Sequence, residues 1–340
     1  MQTSRVPGWY IACRSTDLDA RPLAVDLAGR HLALFRDRAG TAHALEDRCA
    51  HRGAPLSRGR ICGDRLHCPY HGWGYDARGD AVEVPALPAN VPPPDGARVP
   101  AYPVAEQQGF VWVAPAEGPP ACAPHRFAHM GEPGWTHFRM RTRFPADVPT
   151  CLENFLDCPH ATFVHRRWFR APAARTVKVT VRTLADGAEA EYFDEPRSGA
   201  LVWRLLAPRR GAMRHTDRFI APNVSQVDYA FDNGMHYTIT SCCTPLGVHD
   251  TIVHTVIAFR FGRIGPLVRL VFEPLSRLII RQDVCMLAMQ RANIRRFGEP
   301  RFVSTAADLL APHIAAWTRA LRDGGVPPAA GEERHGEIRL

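Results

Sequence analysis

The chain has 340 residues, 46% hydrophobic and 22% charged, with a formal net charge of +8. That length accommodates two domains or one large one, and the balance is that of a soluble globular protein. No uncharged apolar run reaches spanning length, and ten cysteines without a secretory leader read as thiols and ligands rather than as a disulfide framework, so the expected location is the cytoplasm. Arg greatly outnumbers Lys, and no basic run is interleaved with aromatics, so nucleic acid is not an expected partner. The positive charge suits an acidic redox partner, or reflects an Arg-rich composition.

Residues 8–117 read as short strands separated by turns. Residues 31–35 alternate weakly and run into the turn 36–40, with 41–46 as the expected hairpin partner. Residues 74–80 read as a further turn, and 109–113 as a buried strand. Seven prolines between Pro85 and Pro103 impose an irregular loop. A second Pro-rich stretch, 115–124, marks a boundary, giving a first domain over 1–120 and a linker over 121–134.

Beyond Trp135 longer strands are expected at 177–181, 189–193, 201–206, 224–229, 236–242 and 252–261, in one antiparallel sheet. Helices are expected at 148–163, 267–297 and 306–322. The apolar stretch 267–280 is interrupted by Arg269, Glu273 and Arg277 and reads as a buried or subunit-facing helix. The second domain covers 135–325, and the Gly-, Pro- and charge-rich tail 326–340 is expected to be loosely held. The fold class is α+β: an N-terminal all-β domain, then an antiparallel sheet flanked by helices.

Two motifs carry the chemistry. Cys49-Ala50-His51, sixteen residues, then Cys68-Pro69-Tyr70-His71 offers one sulfur and one nitrogen in each half. Mixed pairs suit a [2Fe–2S] cluster with both cysteines on one iron and both histidines on the other; a structural zinc site accepts the same four residues. The second motif is Asn154-Phe155-Leu156-Asp157-Cys158-Pro159-His160, followed by His165. His165 lies five residues past His160, about 140° around an ideal helix. The imidazoles converge only if the helix bends between them or just ahead, and Pro159 supplies a cause.

Two histidines need a carboxylate to complete a facial triad for iron(II). Asp283 has only Ile279, Ile280, Met286 and Leu287 at three and four residues, where a lone carboxylate is costly unless it binds a cation or is hydrogen-bonded. Asp250 and Glu273 are its rivals. Cys158 reads as a small buried hydrophobe, Cys62 as a free thiol, and Cys242-Cys243 as a strand pair with one member facing the core. Phe155, Phe163, Trp168, Phe231 and Tyr237 are candidates to line an apolar pocket.

With their flanks, Arg52-Gly53-Ala54-Pro55-Leu56 and Gly72-Trp73, the cysteine–histidine loops resemble those of the Rieske non-haem iron oxygenases, and the Asn154–His165 motif resembles that family's mononuclear iron motif. The resemblance implies that Cys49, His51, Cys68 and His71 hold a [2Fe–2S] cluster and that His160, His165 and Asp283 hold Fe(II), which activates dioxygen as co-substrate. It implies that Asp157 links the iron site to His71 of a neighbouring subunit, on one side of Asp157, and to His160 on the other, with Asn154 orienting the site. The chain has no glycine-rich dinucleotide fingerprint and no plant-type cysteine spacing, so electrons from NAD(P)H are expected through a separate reductase or ferredoxin. The architecture resembles the homotrimeric monooxygenase and demethylase branch, acting on an apolar aromatic or polycyclic small molecule. The rival reading is a Rieske electron-transfer protein with a non-catalytic second domain.

Overall fold

The computed structural model describes residues 6–88, 90–116, 122–165, 175–193 and 213–340. They form two compact units, Met1–Arg126 and Phe127–Leu340. The first is built from small antiparallel sheets. β1 (Tyr10–Arg14) pairs with β11 (Phe110–Val113), which also pairs with β10 (Val104–Gln107). β2 (Leu23–Leu27), β3 (Arg30–Arg36), β4 (Ala42–Glu46) and β9 (Ala101–Tyr102) follow in that order in a second sheet. The third holds β5 (Arg60–Cys62), β6 (Arg65–His67), β7 (Gly74–Tyr75) and β8 (Ala81–Glu83). Phe35, Leu45, Leu56, Leu66 and Tyr75 are fully buried and pack with Cys49 and Cys68 in one cluster. The thiols of the first motif therefore sit in the core, removed from water.

The second unit is one eight-stranded antiparallel sheet. In chain order its strands are β12 (Thr136–Phe144), β13 (Thr176–Leu184), β14 (Gly187–Phe193), β15 (Met213–Ile220), β16 (Val224–Phe231), β17 (His236–Gly247), β18 (Asp250–Arg260) and β19 (Glu333–Arg339). In space β12 leads to β18 and the order then runs back through β17, β16, β15 and β14 to β13 and β19. Three strands, β12, β15 and β19, were not expected from local pattern. In β12, Arg139, Arg141 and Arg143 read as a polar stretch, yet they alternate with Phe138, Met140 and Phe144, which are buried. β15 alternates charged and polar residues on both faces and carries little apolar signal. The strand expected at 201–206 lies outside the described residues.

The sheet is covered on both faces along its centre. Nine consecutive residues of β18 are buried, and Cys242 and Cys243 are both inaccessible to solvent, so the expectation that only one faces the core fails.

The helix expected over 148–163 is broken. α1 (Val148–Leu156) is capped by Asp147, which accepts from the Thr150 amide at 2.9 Å. It ends at Asp157, whose backbone is extended, and a four-residue α2 (His160–Phe163) follows Pro159. Proline removes one backbone donor and disfavours the helical region for the residue before it. Asp157 and His160, three residues apart, therefore do not share a helix face. α3 (Gly265–Phe297) is a single 33-residue helix that crosses Pro274, and α4 is Ala311–Asp323. Among the described residues no helix is long and apolar enough to cross a membrane.

The loosely held tail expected at 326–340 is also corrected. Residues 333–339 form β19, paired in unbroken register with Thr176–Arg182 of β13. Ile338 and Leu340 are buried beside Val177 and Val179 in the main core cluster, and apolar burial outweighs the Gly and charge content that suggested disorder. Ile338→Ala should therefore cost about 2–4 kcal/mol and lower the thermal midpoint by roughly 5–12 °C. Thermal denaturation followed by circular dichroism checks this; an unchanged midpoint would mean the strand contributes nothing.

Candidate active site and metal centres

In the first unit the two halves of the cysteine–histidine motif adopt the same turn. The Cys49 amide donates to the Ala54 carbonyl at 2.8 Å and Gly53 to the Cys49 carbonyl at 2.9 Å. The Cys68 amide donates to Trp73 at 2.8 Å and Gly72 to Cys68 at 3.2 Å. Gly53 and Gly72 close the turns at φ +71° and +72°, a region other residues enter only with strain. Cys49 and Cys68 are buried, while His51 is half-buried and His71 exposed. The imidazole centroids are 4.5 Å apart, and Trp73 stacks on His51. The Tyr75 hydroxyl lies 3.1 Å from Cys49 Sγ and accepts from the Ala50 amide at 3.0 Å. Tyr75, in the turn expected at 74–80, stands instead in β7, and its contact with Cys49 has no local signal in the sequence. His51 Nδ1 is buried with no hydrogen-bond partner. Two inward thiols, two facing imidazoles and an orphaned ring nitrogen fit a cluster that takes sulfur on one iron and nitrogen on the other.

In the second unit the break at Asp157–Pro159 turns His160 back toward His165. Their Nε2 atoms are 3.3 Å apart. α3 brings Asp283 Oδ1 to 3.4 Å from His160 Nε2 and 3.1 Å from His165 Nε2. Ligands held about 2.1 Å from one metal at right angles stand about 3.0 Å apart, so the triangle has the size of a facial triad. The outer nitrogens fix the tautomers. His165 Nδ1 donates to Gln282 Oε1 at 2.8 Å, and His160 Nδ1 donates to the main-chain carbonyl of Asp157. Both Nε2 atoms then carry lone pairs, and together with the carboxylate they make three converging acceptors. Asp283 Oδ1 is buried and accepts no directed hydrogen bond. A cation satisfies all three at once, so the residues fit a mononuclear iron.

A proton on either Nε2 would compete with a metal for this place, and the electrostatics show that the triad attracts positive charge of either kind. Burial works against charge on His160, but contact with Asp283 prevails and raises it. Burial likewise opposes charge on Asp283, yet the two imidazoles hold it at about 2, the anionic form a metal requires. Asp157 is raised by burial, with His160 opposing, and its carboxylate stays 4.0 Å from His160 Nδ1. The expected bond from His160 to the Asp157 side chain is thus made by the Asp157 backbone instead. Asn154 lies beside Asp157, with its Nδ2 buried and unpaired. The rival acids are engaged elsewhere: Asp250 with Arg143, and Glu273 with Arg269 and Arg277.

A cavity of about 140 Å³ opens onto the triad, close to the volume that holds one benzene ring. Its floor is the sheet face, and register sorts the floor into rows. His215, Tyr229 and Tyr237 form an aromatic row; Asp217, Val227, Ile239 and Ile257 run beside it. Ser225, Ser241 and Thr255 form a hydroxyl row, with Ser241 and Thr255 in contact at 3.0 Å. Ser276, Ile279, Ile280 and Asp283 come from one face of α3. Of the aromatics expected here, Phe155 and Tyr237 line the cavity; Phe231 packs in one cluster with Tyr229 and Tyr237 but does not line the cavity, Phe163 is 80% exposed, and Trp168 is outside the described residues. Cys158 is buried as expected, but it also stands within ligand-atom reach of His215 and Asp217, a group the sequence reading overlooked. The signal was a histidine and an aspartate two apart on one strand.

Comparison with known proteins agrees with this geometry. Residues 8–103 match the Rieske [2Fe-2S] domain, and residues 144–323 match the vanillate O-demethylase oxygenase C-terminal domain. The chain is 35% identical over 327 residues to the methylxanthine N1-demethylase NdmA of Pseudomonas putida, covering 93% of this chain and 88% of that one. It is 37% identical over 164 residues to the chloroplastic chlorophyllide a oxygenase of Chlamydomonas reinhardtii, a match spanning 47% of this chain but only 24% of that protein. A solved structure of dicamba monooxygenase bound to 3,6-dichlorosalicylic acid superposes with a TM-score of 0.79 at 23% identity, covering 95% of this chain and 98% of that one, and so shares its fold.

Gln282 is the residue that sets the His165 tautomer. Gln282→Leu should weaken divalent metal binding at the triad by roughly 10–100-fold while leaving the fold intact. Equilibrium titration with Fe(II) or Co(II) checks this, and unchanged affinity would show that the amide does not orient the ring.

Proposed function

The chain belongs to the Rieske non-haem iron oxygenases, and on that premise we propose that it is the terminal component of a multicomponent oxygenase that hydroxylates or demethylates a one-ring aromatic molecule. The three converging acceptors of His160, His165 and Asp283 carry this reading, because an electron carrier has no use for them. We infer that Cys49, His51, Cys68 and His71 hold the cluster and that the triad holds the iron. When bound, these groups supply single-electron transfer and activation of dioxygen. Overall, one oxygen atom enters a substrate C–H bond and the other leaves as water, with two electrons and two protons consumed.

The chain's own residues hold and orient. Val227, Ile239 and Ile257 present an aliphatic floor to the flat face of a ring and exclude water from it. Gln282 and the Asp157 carbonyl keep both imidazoles in the tautomer that faces the cavity. The cavity volume favours one ring over a polycyclic substrate. None of the ten cysteines is in a disulfide, which accords with a cytoplasmic protein, and the electrons are taken to come from NAD(P)H through a reductase or ferredoxin.

The working unit in this reading is a homotrimeric ring. Support comes from α3, where Leu267, Leu270 and Val271 are 67%, 70% and 53% exposed, an apolar surface that a second copy would cover. The Asp157 side chain is 40% exposed, so its carboxylate is accessible to a partner subunit's imidazole.

Purified protein should contain about three irons per chain, against about two for a carrier. Asp283→Ala should lose the mononuclear iron and all turnover yet keep the red-brown cluster spectrum; metal analysis and visible absorption check both. Retention of iron and activity would remove Asp283 from the site. Assembly has its own test. Two inactive variants, His71→Ala and His160→Ala, should partly recover activity when co-assembled, because some interfaces then join an intact cluster to an intact iron site. Co-assembled mixtures that remain inactive would mean electrons travel within one chain.

A further inference from the structure

The cavity wall contains a polar unit that the oxygenase chemistry does not use. β15 carries His215 and Asp217 two residues apart, so strand alternation turns both to one face, where they are 1% and 2% exposed. Register sets His215 opposite Tyr192 of β14 and Tyr229 of β16. Both rings stack on the imidazole, at centroid distances of 4.3 and 4.2 Å and tilts of 12° and 19°. Asp217 accepts from the Tyr192 hydroxyl at 2.9 Å on one oxygen and from His215 Nε2 at 3.0 Å on the other. A carboxylate buried in a largely apolar wall is costly, and an apolar residue would pack this sheet at least as well. Cys158 is within reach of the pair, but both Asp217 oxygens already accept hydrogen bonds, which a metal bound there would have to displace.

The charge of the lining narrows what Asp217 can face. Among the described residues around the cavity are three carboxylates, Asp157, Asp217 and Asp283, and no Lys or Arg. Each Asp217 oxygen keeps a second lone pair, so the unit can accept further hydrogen bonds. A substrate anion beside it would be buried next to a carboxylate, with no compensating cation among the described lining residues. The aliphatic row of Val227, Ile239 and Ile257 starts at Asp217, so a ring lying along it presents one edge to the carboxylate.

We propose that Asp217, held by Tyr192 and His215, is the substrate-selecting group: it accepts a hydrogen bond from the O–H or N–H of a neutral or cationic aromatic substrate, a phenol or an amine, and disfavours aryl carboxylates. This rests on the oxygenase reading of the cavity.

The test uses the iron-loaded holoprotein and four probes that differ in one group: 4-methoxyphenol, 4-methoxyaniline, anisole and 4-methoxybenzoate. Calorimetric titration should give the phenol and the aniline at least tenfold tighter binding than anisole or the benzoate. Asp217→Leu, which removes both acceptor oxygens, should erase that preference, and Tyr192→Phe, which removes one hydroxyl and no charge, should reduce it by a smaller factor. If Asp217→Leu does not fold, the wild-type ranking and Tyr192→Phe decide. Equal affinities for the four probes, uniformly undetectable ones included, overturn the proposal, as does a preference that survives Asp217→Leu. Formaldehyde release with reductant and dioxygen separates this from the wider reading. Product from the benzoate in preference to the phenol sinks the selectivity and keeps the oxygenase; a binding preference with no product from any probe does the reverse.

Discussion

Three hydrogen-bond acceptors within 3.1–3.4 Å of one another are the constraint from which the catalytic unit is arranged. Such a cluster is unfavourable in a protein interior unless a cation shares it. The structure maintains it by occupying the protons elsewhere: one imidazole donates to a side-chain amide, the other to a backbone carbonyl. That carbonyl is available because α1 stops at Asp157. A helix continuing through Asp157 would direct it along the helix axis, toward a backbone amide four residues on. The Pro159 break therefore does two things at once, re-aiming His160 and releasing the acceptor that fixes its tautomer.

The same economy appears in the first unit. Two copies of one glycine-closed turn bring a buried thiol and a more exposed imidazole from each half of the motif. The candidate sulfur ligands are kept from water and the candidate nitrogen ligands stay nearer the solvent. In the first unit the candidate ligands come from irregular backbone; in the second, His160 and His165 follow a break between helices and Asp283 comes from α3, while the regular sheets beneath supply rigidity.

The sheet of the second unit does more than support. Its register converts a linear sequence into rows of different chemistry beneath one cavity: aromatic, aliphatic and hydroxyl. Because directly paired residues share a face, one residue of slip in β15 would send His215 and Asp217 to the opposite side and leave Arg214, Thr216 and Arg218 toward the cavity. Substrate preference in this fold is thus coupled to strand register as well as to side-chain identity.

Much of this protein was legible in its sequence. Mixed cysteine–histidine pairs, a proline one residue before His160, and an aspartate surrounded by apolar helix neighbours each carry a local physical signature that does not depend on the rest of the chain. So do most strands and the long helix α3. What the sequence could not settle concerns partners distant along the chain. Nothing near Gln282 identifies His165, 117 residues away, as the ring it orients. Nothing near Ile338 says that its strand completes an edge rather than fraying, because the apolar surface that holds it belongs to β13. Tyr192, His215 and Tyr229 are ordinary strand residues until register stacks them, and the site made with Asp217 exists only in that pairing. Local chemistry is written in spacing; the choice among distant partners is made by burial and register, which only the folded chain possesses.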